Sequence, residues 1–316
     1  MTLSIDAKDL AILQALDQNV RSSYAQIGRK TRLSKEVVQY RIKNLEKRRI
    51  ITGYWAIPHI GTINHVYKLL IKNKSLGVKK KEFIEFALSQ KAVSWFATTE
   101  GNWDFVISSY VSDDTTFSEF VIELMKRFGK YFKEKHILKS TSMILMNEKY
   151  LYKDKKLIKS KEDSFLATEN KPDKVDTEII RLLANNARIS FSEIGRKINL
   201  TSEAVSARYR NIIKKELIKG MNPRINQELL GYSYYHIFIS VSDYEKKDAI
   251  CKYYIQHPNC VFIMKHIGFY DIHLELVLTS DEVGLFIDDL TEKFGNYISA
   301  YEPLRIRKEH IMVVLR

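Results

Sequence analysis

At 316 residues, with 45% hydrophobic and 28% charged residues, the chain exceeds one average domain and lies outside the disordered class. Lys and Arg number 51 against 38 Asp and Glu, a net charge of +13, which favours an anionic partner such as nucleic acid or an acidic membrane surface. Residues 1–6 have no basic region ahead of an apolar run, no stretch approaches the roughly 18 apolar residues of a membrane span, and the two cysteines, Cys251 and Cys260, make no secreted disulfide framework. A cytoplasmic protein with no membrane partner is expected.

The chain opens on a predicted helix carrying Ile12, Leu13 and Leu16 at helical spacing. Ser23-Tyr24-Ala25-Gln26 reads as a capping box, the Ser accepting from the backbone and the Gln reaching back, so a second helix starts there. The turn Thr31-Arg32-Leu33-Ser34 ends in an N-cap serine. A third helix follows, with Val38, Ile42 and Leu45 as its buried stripe and Glu36, Tyr40, Lys43 and Lys47 outward, flanked by Gln39. Three short helices with a tight turn before the last predict a helix-turn-helix, whose last helix enters a major groove. A β-prone stretch, 50–57, leads out as a connecting strand. Beyond it the pattern reads strand 64–73, helix 79–90, strand 92–99, a turn at Glu100-Gly101-Asn102, strand 103–111, helix 113–129 and strand 135–146. The order βαββαβ is the ferredoxin-like sandwich.

Sliding the sequence against itself gives one dominant match, at an offset of 167 residues: Asp9 meets Asp176, Asn19 meets Asn186, Arg21 meets Arg188, Ile27-Gly28-Arg29-Lys30 meets Ile194-Gly195-Arg196-Lys197, and Asp104 meets Asp271. Such a period lies far outside the roughly 20–50 residues of solenoids and reads as duplication of a whole two-domain unit. Copy two has its capping box at Ser190-Phe191-Ser192-Glu193 and its N-cap at Thr201. Its third helix buries Val205, Tyr209 and Ile212 and turns Glu203, Ala207, Arg210 and Lys214 outward, flanked by Ser206. An exit strand at 217–225 leads to strands 232–242, 260–267, 270–279 and 306–314 and helices 245–257 and 281–295. The expected fold class is α+β: two winged-helix-type helix-turn-helix domains, 1–57 and 175–225, alternate with two ferredoxin-like βαββαβ domains, 58–149 and 226–316. A charged linker, 150–174, joins the copies. In copy one Phe105, Ile107 and Val111 lie on one side of their strand and Val106 and Tyr110 on the other. Two partly apolar sheet faces predict that the two ferredoxin-like domains pair within one chain, with further homo-oligomerisation of the resulting pseudo-dimer.

The ordered motifs resemble the leucine-responsive regulator (Lrp/AsnC) family. They are Asp9, Asn19-Val20-Arg21-Ser22-Ser23 and Leu33-Ser34 in copy one, and Asp176, Asn186-Ala187-Arg188-Ile189-Ser190 and Leu200-Thr201 in copy two. The Gly-x-aromatic-Asp turns of the family's effector domain match Gly101-Asn102-Trp103-Asp104 and Gly268-Phe269-Tyr270-Asp271. The resemblance covers nearly the whole chain, twice, apart from the linker. It departs where the family usually has Gly before the exit strand, here Arg49 and Glu216, and where an acidic residue follows the turn glycine, here Asn102 and Phe269.

The resemblance implies a sequence-specific DNA-binding transcription regulator, with double-stranded DNA as partner and no cofactor other than an amino acid or another small-molecule effector. Candidate DNA contacts are Lys35, Gln39, Tyr40 and Lys43 in copy one and Ser202, Ser206 and Arg210 in copy two; Gln suits an adenine edge, Arg a guanine, Lys a phosphate or a guanine. Arg41 and Arg208, with Arg21 and Arg188, read equally as phosphate contacts or as intradomain ion-pair partners. Gly101, Asp104, Gly268 and Asp271 are candidate effector contacts, or simply the residues that close tight hairpins. Cys251, His257, Cys260 and His266 carry zinc-type ligands, but the strand separates Cys260 from His266 by roughly 20 Å at about 3.3 Å per residue, so no metal site is expected. No P-loop, G-x-S-x-G or H-E-x-x-H is present, and no enzyme is expected. Two alternatives stand beside the regulator. One is an architectural DNA-binding protein. The other is an enzyme like the siroheme decarboxylases, which resemble the same two-domain unit; their H-N-Y-x-R-type signature is matched only by His65-Val66-Tyr67-Lys68, without the Asn and the Arg.

Overall fold

The computed structural model describes residues 4–59, 65–152, 160–164 and 171–312. Copy one runs α1 (Ala7–Gln18), α2 (Tyr24–Thr31), α3 (Lys35–Lys47), β1 (Ile51–Pro58), β2 (His65–Asn73), α4 (Lys80–Ser89), β3 (Trp95–Glu100), β4 (Phe105–Val111), α5 (Asp114–Phe128) and β5 (Phe132–Met146). A short strand β6 (Ser160–Ser164) intervenes. Copy two runs α6 (Lys174–Asn185), α7 (Phe191–Ile198), α8 (Ser202–Lys214), β7 (Ile218–Ile225), β8 (Ser233–Val241), α9 (Lys247–Ile255), β9 (Cys260–Ile267), β10 (Ile272–Leu278), α10 (Glu282–Phe294) and β11 (Ile298–Met312).

The chain regroups these elements into two compact units. One is Met1–His59, Leu145–Lys161 and Glu169–Ser233; the other is Ile60–Ile144, Glu162–Thr168 and Tyr234–Arg316. The first thus gathers both helix-turn-helix segments and the second both βαββαβ segments.

In the first unit each helix starts on a side-chain cap: Asp6, Ser23 and Ser34 in copy one, Asp173, Ser190 and Thr201 in copy two. The capping box closes fully at Ser23, where Ser23 N–H donates to Gln26 Oε1 at 2.8 Å and Gln26 N–H to Ser23 Oγ at 3.2 Å. At Ser190 the backbone of Glu193 donates to the serine at 3.1 Å, while the Glu193 carboxylate pairs with Lys197 at 3.8 Å. The turn between α2 and α3 depends on Gly28: a Cβ there would lie 2.5 Å from the carbonyl oxygen of Leu33, and Gly195 meets the carbonyl of Leu200 in the same way. Arg49 (φ 60°) and Glu216 (φ 54°) are held in the left-handed region.

The expected winged form is corrected by β1 and β7. Among the described residues no second strand of the same copy closes a wing hairpin; β1 pairs antiparallel with β7 of the other copy, Ile51 opposite Ile225 and Trp55 opposite Asn222. The beginning of the expected linker is packed as well, since Leu151 is buried and Tyr152 hydroxyl donates to Asp17 Oδ2 at 2.7 Å. Residues 153–159 and 165–170 of that segment lie outside the described residues.

In the second unit each copy forms a four-stranded sheet, β5-β2-β4-β3 and β11-β8-β10-β9, and the edges of one join the edges of the other. β3 pairs with β11 and β9 with β5, so eight strands close on themselves. This explains why β5 and β11 each run 15 residues: β11 pairs with β8 through residue 305 and with β3 from there to residue 312. The expected last strand, 306–314, therefore covers only the cross-copy half. One sheet face of copy one packs beneath α4 and α5 around Phe83, Phe96, Phe105 and Phe128. Leu70, Trp95, Val106, Leu138, Phe238 and Leu304 form a separate core inside the closed sheet.

Gly195→Ala is expected to lower unfolding stability by about 1–3 kcal/mol, because backbone rather than a flexible side chain blocks the new methyl. Arg49→Gly is expected to raise it by roughly 0.5–1 kcal/mol, the relief of a left-handed residue less the entropy of glycine. Urea titrations followed by helical circular dichroism read both; a Gly195→Ala midpoint equal to the parent would show that the α7–α8 turn yields.

Candidate nucleic-acid interface

The buried stripe of α3 is Val38, Ile42 and Leu45, which leaves the opposite side to solvent. Tyr40 is 72% exposed, Lys35 and Lys43 are exposed, and Gln39 is half-buried. On α8, Val205 and Ile212 are buried, Arg210 is exposed, and Ser202 and Ser206 are half-buried. Among the described residues Lys35, Lys43 and Arg210 have no ion-pair partner within 4.0 Å, so their charges are available to an anion. The two faces differ in chemistry: lysines, an amide and a phenol on one, hydroxyls and a guanidinium on the other.

Arg41 and Arg208 serve the interior of their own domains. Arg41 donates to Asp9 Oδ1 at 2.7 Å and Asp6 Oδ2 at 2.8 Å, and Arg208 to Asp173 Oδ2 at 2.7 Å and Asp176 Oδ1 at 2.8 Å. Hydrogen bonding to Asp9 in the one case and Asp173 in the other raises each guanidinium above its usual range. The same contacts clamp α1 to α3 and α6 to α8.

Arg21 and Arg188 do something that sequence reasoning missed. Arg21 Nη1 donates to the carbonyls of Ala187 (2.5 Å) and Ile189 (3.1 Å), and Arg188 donates to those of Val20 and Ser22. Each arginine thus satisfies the loop backbone of the other copy. Each also lies over that copy's aromatic rings, Arg21 4.6 Å from the Phe191 centroid and Arg188 5.3 Å from that of Tyr54. Burial pulls the Arg21 guanidinium below its usual value. With β1–β7, this reciprocal staple fixes the two helix-turn-helix segments in one body. The only sequence signal was the recurrence of N-x-R-x-S at both places.

Asp17 ties in the segment after β5. It is buried, which raises its carboxyl pKa, and it accepts from Tyr152 (2.7 Å), Asn147 (2.9 Å), the backbone of Glu148 (3.2 Å) and Asn222 (3.3 Å).

The Gly-x-aromatic-Asp turns lie at the seams of the closed sheet. Gly101 (φ 137°) sits against Pro303 and Leu304, and Gly268 (φ 141°) against Ile137 and Leu138. Asp104 Oδ2 accepts from the Asn73 backbone at 2.6 Å and Asp271 Oδ2 from that of Val241 at 2.9 Å. Trp103 Nε1 donates to the Tyr270 hydroxyl at 3.2 Å, joining the two turns. Each aspartate thus ties its turn to the end of the neighbouring strand, β2 or β8, and each glycine lets its turn abut a strand of the other copy. Inside the closed sheet lies a second group, in which sequence reading had singled out only His266: Lys68, His236, His266 and His273, all deeply buried, with the partly buried Glu275.

Two stapled helix-turn-helix segments and a paired βαββαβ body define the class as a duplicated helix-turn-helix protein. The chain carries the AsnC-type helix-turn-helix domain twice, at residues 5–46 and 173–212, and is a relative of the Lrp/AsnC family. It is 33% identical over 69 residues to the transcriptional regulator LrpA of Bacillus subtilis, 22% of this chain and 50% of that protein. It is 27% identical over 139 residues to LrpB of the same organism, 44% of this chain and 92% of LrpB. The chain thus spans half the length of the first relative and nearly all of the second. Among solved structures, the siroheme decarboxylase NirDL matches 98% of this chain and 93% of its own at a TM-score of 0.65 and 10% identity; a second structure of it holds an iron-uroporphyrin III analogue.

That full-length likeness corrects the expectation that the chain is no enzyme. At 10% identity it shows the fold alone. Yet a fold shared with a decarboxylase removes the ground on which catalysis was excluded, since chemistry resides in sites rather than in a few short motifs.

Arg21→Ala and Arg188→Ala are each expected to destabilise the first unit by about 1.5–3 kcal/mol, the range for hydrogen bonds to charged groups. Hydrogen exchange of the β1 and β7 amides should accelerate in the double variant. Unchanged protection would show that the strands hold the pair unaided.

Proposed function

We propose that this chain is a sequence-specific DNA-binding transcription regulator that reads two non-identical half-sites with α3 and α8. The observation that carries the reading is the presence of two AsnC-type helix-turn-helix domains in one body, with Lys35, Tyr40 and Lys43 exposed on one recognition helix and Arg210 on the other. Gln39, Ser202 and Ser206 complete the two contact sets. A symmetric dimer presents one face twice and reads a palindrome, with half-sites about one helical turn or a multiple apart. Here the faces differ, so the preferred operator is an imperfect palindrome. Any effector that meets the turns at Gly101–Asp104 and Gly268–Asp271 would touch Asn102 and the half-exposed Phe269, because the flanking glycines abut strands of the other copy and the aspartates hold the backbones of β2 and β8.

Selection from random duplex DNA is the test, read at single half-site resolution. Two unlike half-sites are expected, converging when the outward residues of α3 are transplanted onto α8; identical half-sites for the parent protein would refute the reading. Lys43→Ala and Arg210→Ala should each weaken binding by about 1–3 kcal/mol where they touch bases. Affinity should fall steeply with salt through counterion release.

A second reading has its own observation, the full-length fold shared with a siroheme decarboxylase. Under it the chain binds a tetrapyrrole carboxylate. Titration of the purified protein with an iron porphyrin carboxylate, followed by visible absorption, decides: a saturable band shift at one equivalent supports the reading, and a spectrum equal to that of free porphyrin removes it.

A further inference from the structure

The interior of the closed sheet holds a cluster of ionisable side chains beside its apolar core. There Lys68 of β2, His236 of β8 and His273 and Glu275 of β10 converge, with His266 of β9 beside them. The two copies are not equivalent at this place. Asp104 and Asp271 accept from the backbones of Asn73 and Val241, which sets residue 73 against 241 and therefore Lys68 against His236. On the neighbouring strands the same turns set Val106 against His273 and Ser108 against Glu275. Duplication thus supplied two copies of each position, and copy two alone carries His, His and Glu.

The geometry of these three is that of a ligand set. His236 Nε2 lies 3.9 Å and His273 Nε2 3.7 Å from Glu275 Oε1, and one donor atom from each residue falls within 4.8 Å of the other two. A tetrahedral site with bonds of about 2.0–2.1 Å has donor atoms about 3.4 Å apart, so modest side-chain rotation closes the set. None of the four nitrogens of His236 and His273 has a hydrogen-bond partner among the described residues, although both rings are buried. Unpaired buried polar atoms are costly, and groups so placed call for a partner. The rings are held in place by stacking: His236 on Trp95, 5.1 Å between centroids and 17° between planes, and His273 on Phe238, 4.4 Å and 6°. Tyr234 hydroxyl donates to Glu275 Oε2, which leaves Oε1 facing the imidazoles, the arrangement of an outer group orienting a ligand.

We propose that His236, His273 and Glu275 form a three-ligand site for a divalent first-row transition metal ion inside the closed sheet. Two imidazoles and one carboxylate suit zinc or ferrous iron and leave a coordination position open. The competing occupant is Lys68, whose Nζ lies 3.7 Å from Glu275 Oε1. The proposal is independent of both readings of function given above.

The full chain, stripped with a chelator and dialysed, is titrated with Co(II) and read by its visible absorption, then with Zn(II) in competition. One equivalent of Co(II) in a four- or five-coordinate environment, displaced by Zn(II), is expected. Affinity should fall at least a hundredfold in His273→Gln and in Glu275→Gln. Lys68→Met should bind equally well or more tightly, which a purely structural Lys68–Glu275 pair would not produce. If the ligand variants fail to fold, the wild-type spectrum and a rise in its thermal midpoint with Zn(II) carry the test. A wild-type protein that takes up no Co(II), or uptake that persists unchanged in a folded His236→Gln, His273→Gln double variant, overturns the site.

Discussion

An unpaired strand edge is a row of backbone donors and acceptors in want of partners, and this molecule answers that constraint at every level by having one copy complete the other. β1 has β7, β3 has β11 and β9 has β5. The same logic holds for loops, where Arg21 and Arg188 each satisfy carbonyls of the opposite copy. Two consequences follow for function. The relative placement of α3 and α8 is built into the covalent chain, and the sheet faces left uncovered by helices become an interior.

Duplication also releases the copies from identity. A homodimer that alters one residue alters it twice, whereas here Gln39 and Ser206, or Lys43 and Arg210, change separately. The interior records the same freedom, with Lys68 on one side and His236 on the other. Asp17 has no counterpart at the matching position of copy two, Ala184, and it gathers the segment after β5 onto α1. Asymmetry thus accumulates where one copy has a neighbour that the other lacks.

Local elements were readable because local rules govern them. Val38, Ile42 and Leu45 placed α3, Ser23 and Gln26 placed the start of α2, and the recurring Gly-x-aromatic-Asp marked both hairpins. The exposed recognition faces followed from the same periodicity. What escaped were interactions that exist only once the copies meet. Pro303 and the charged residues around it hid the first half of β11, although that half is the one that pairs with its own copy. Arg21 and Arg188 could equally have faced phosphate, since their acceptors are carbonyls some 166 residues away. His236, His273 and Glu275 alternate outward on strands that are half-solvated in an open sheet; only closure turns that face inward. The exclusion of catalysis failed for a related reason, because it rested on the absence of short motifs while the fold is shared along nearly its whole length with a decarboxylase.

The two-partner strand β11 bears on how the protein is made. Its pairing with β3 joins Arg305 to Glu100 across two hundred residues of chain, and the pairing of β5 with β9 likewise waits on copy two. During synthesis at about 5–20 residues per second, copy one emerges tens of seconds before its covering strands. Throughout that interval β3 and the distal half of β5 stand as naked edges beside an apolar face, the kind of surface that recruits chaperones or a neighbouring nascent chain. A homodimer waits instead for a second polypeptide to arrive by diffusion. Fusion converts that bimolecular encounter into an intramolecular one, making assembly independent of how scarce the protein is in the cell.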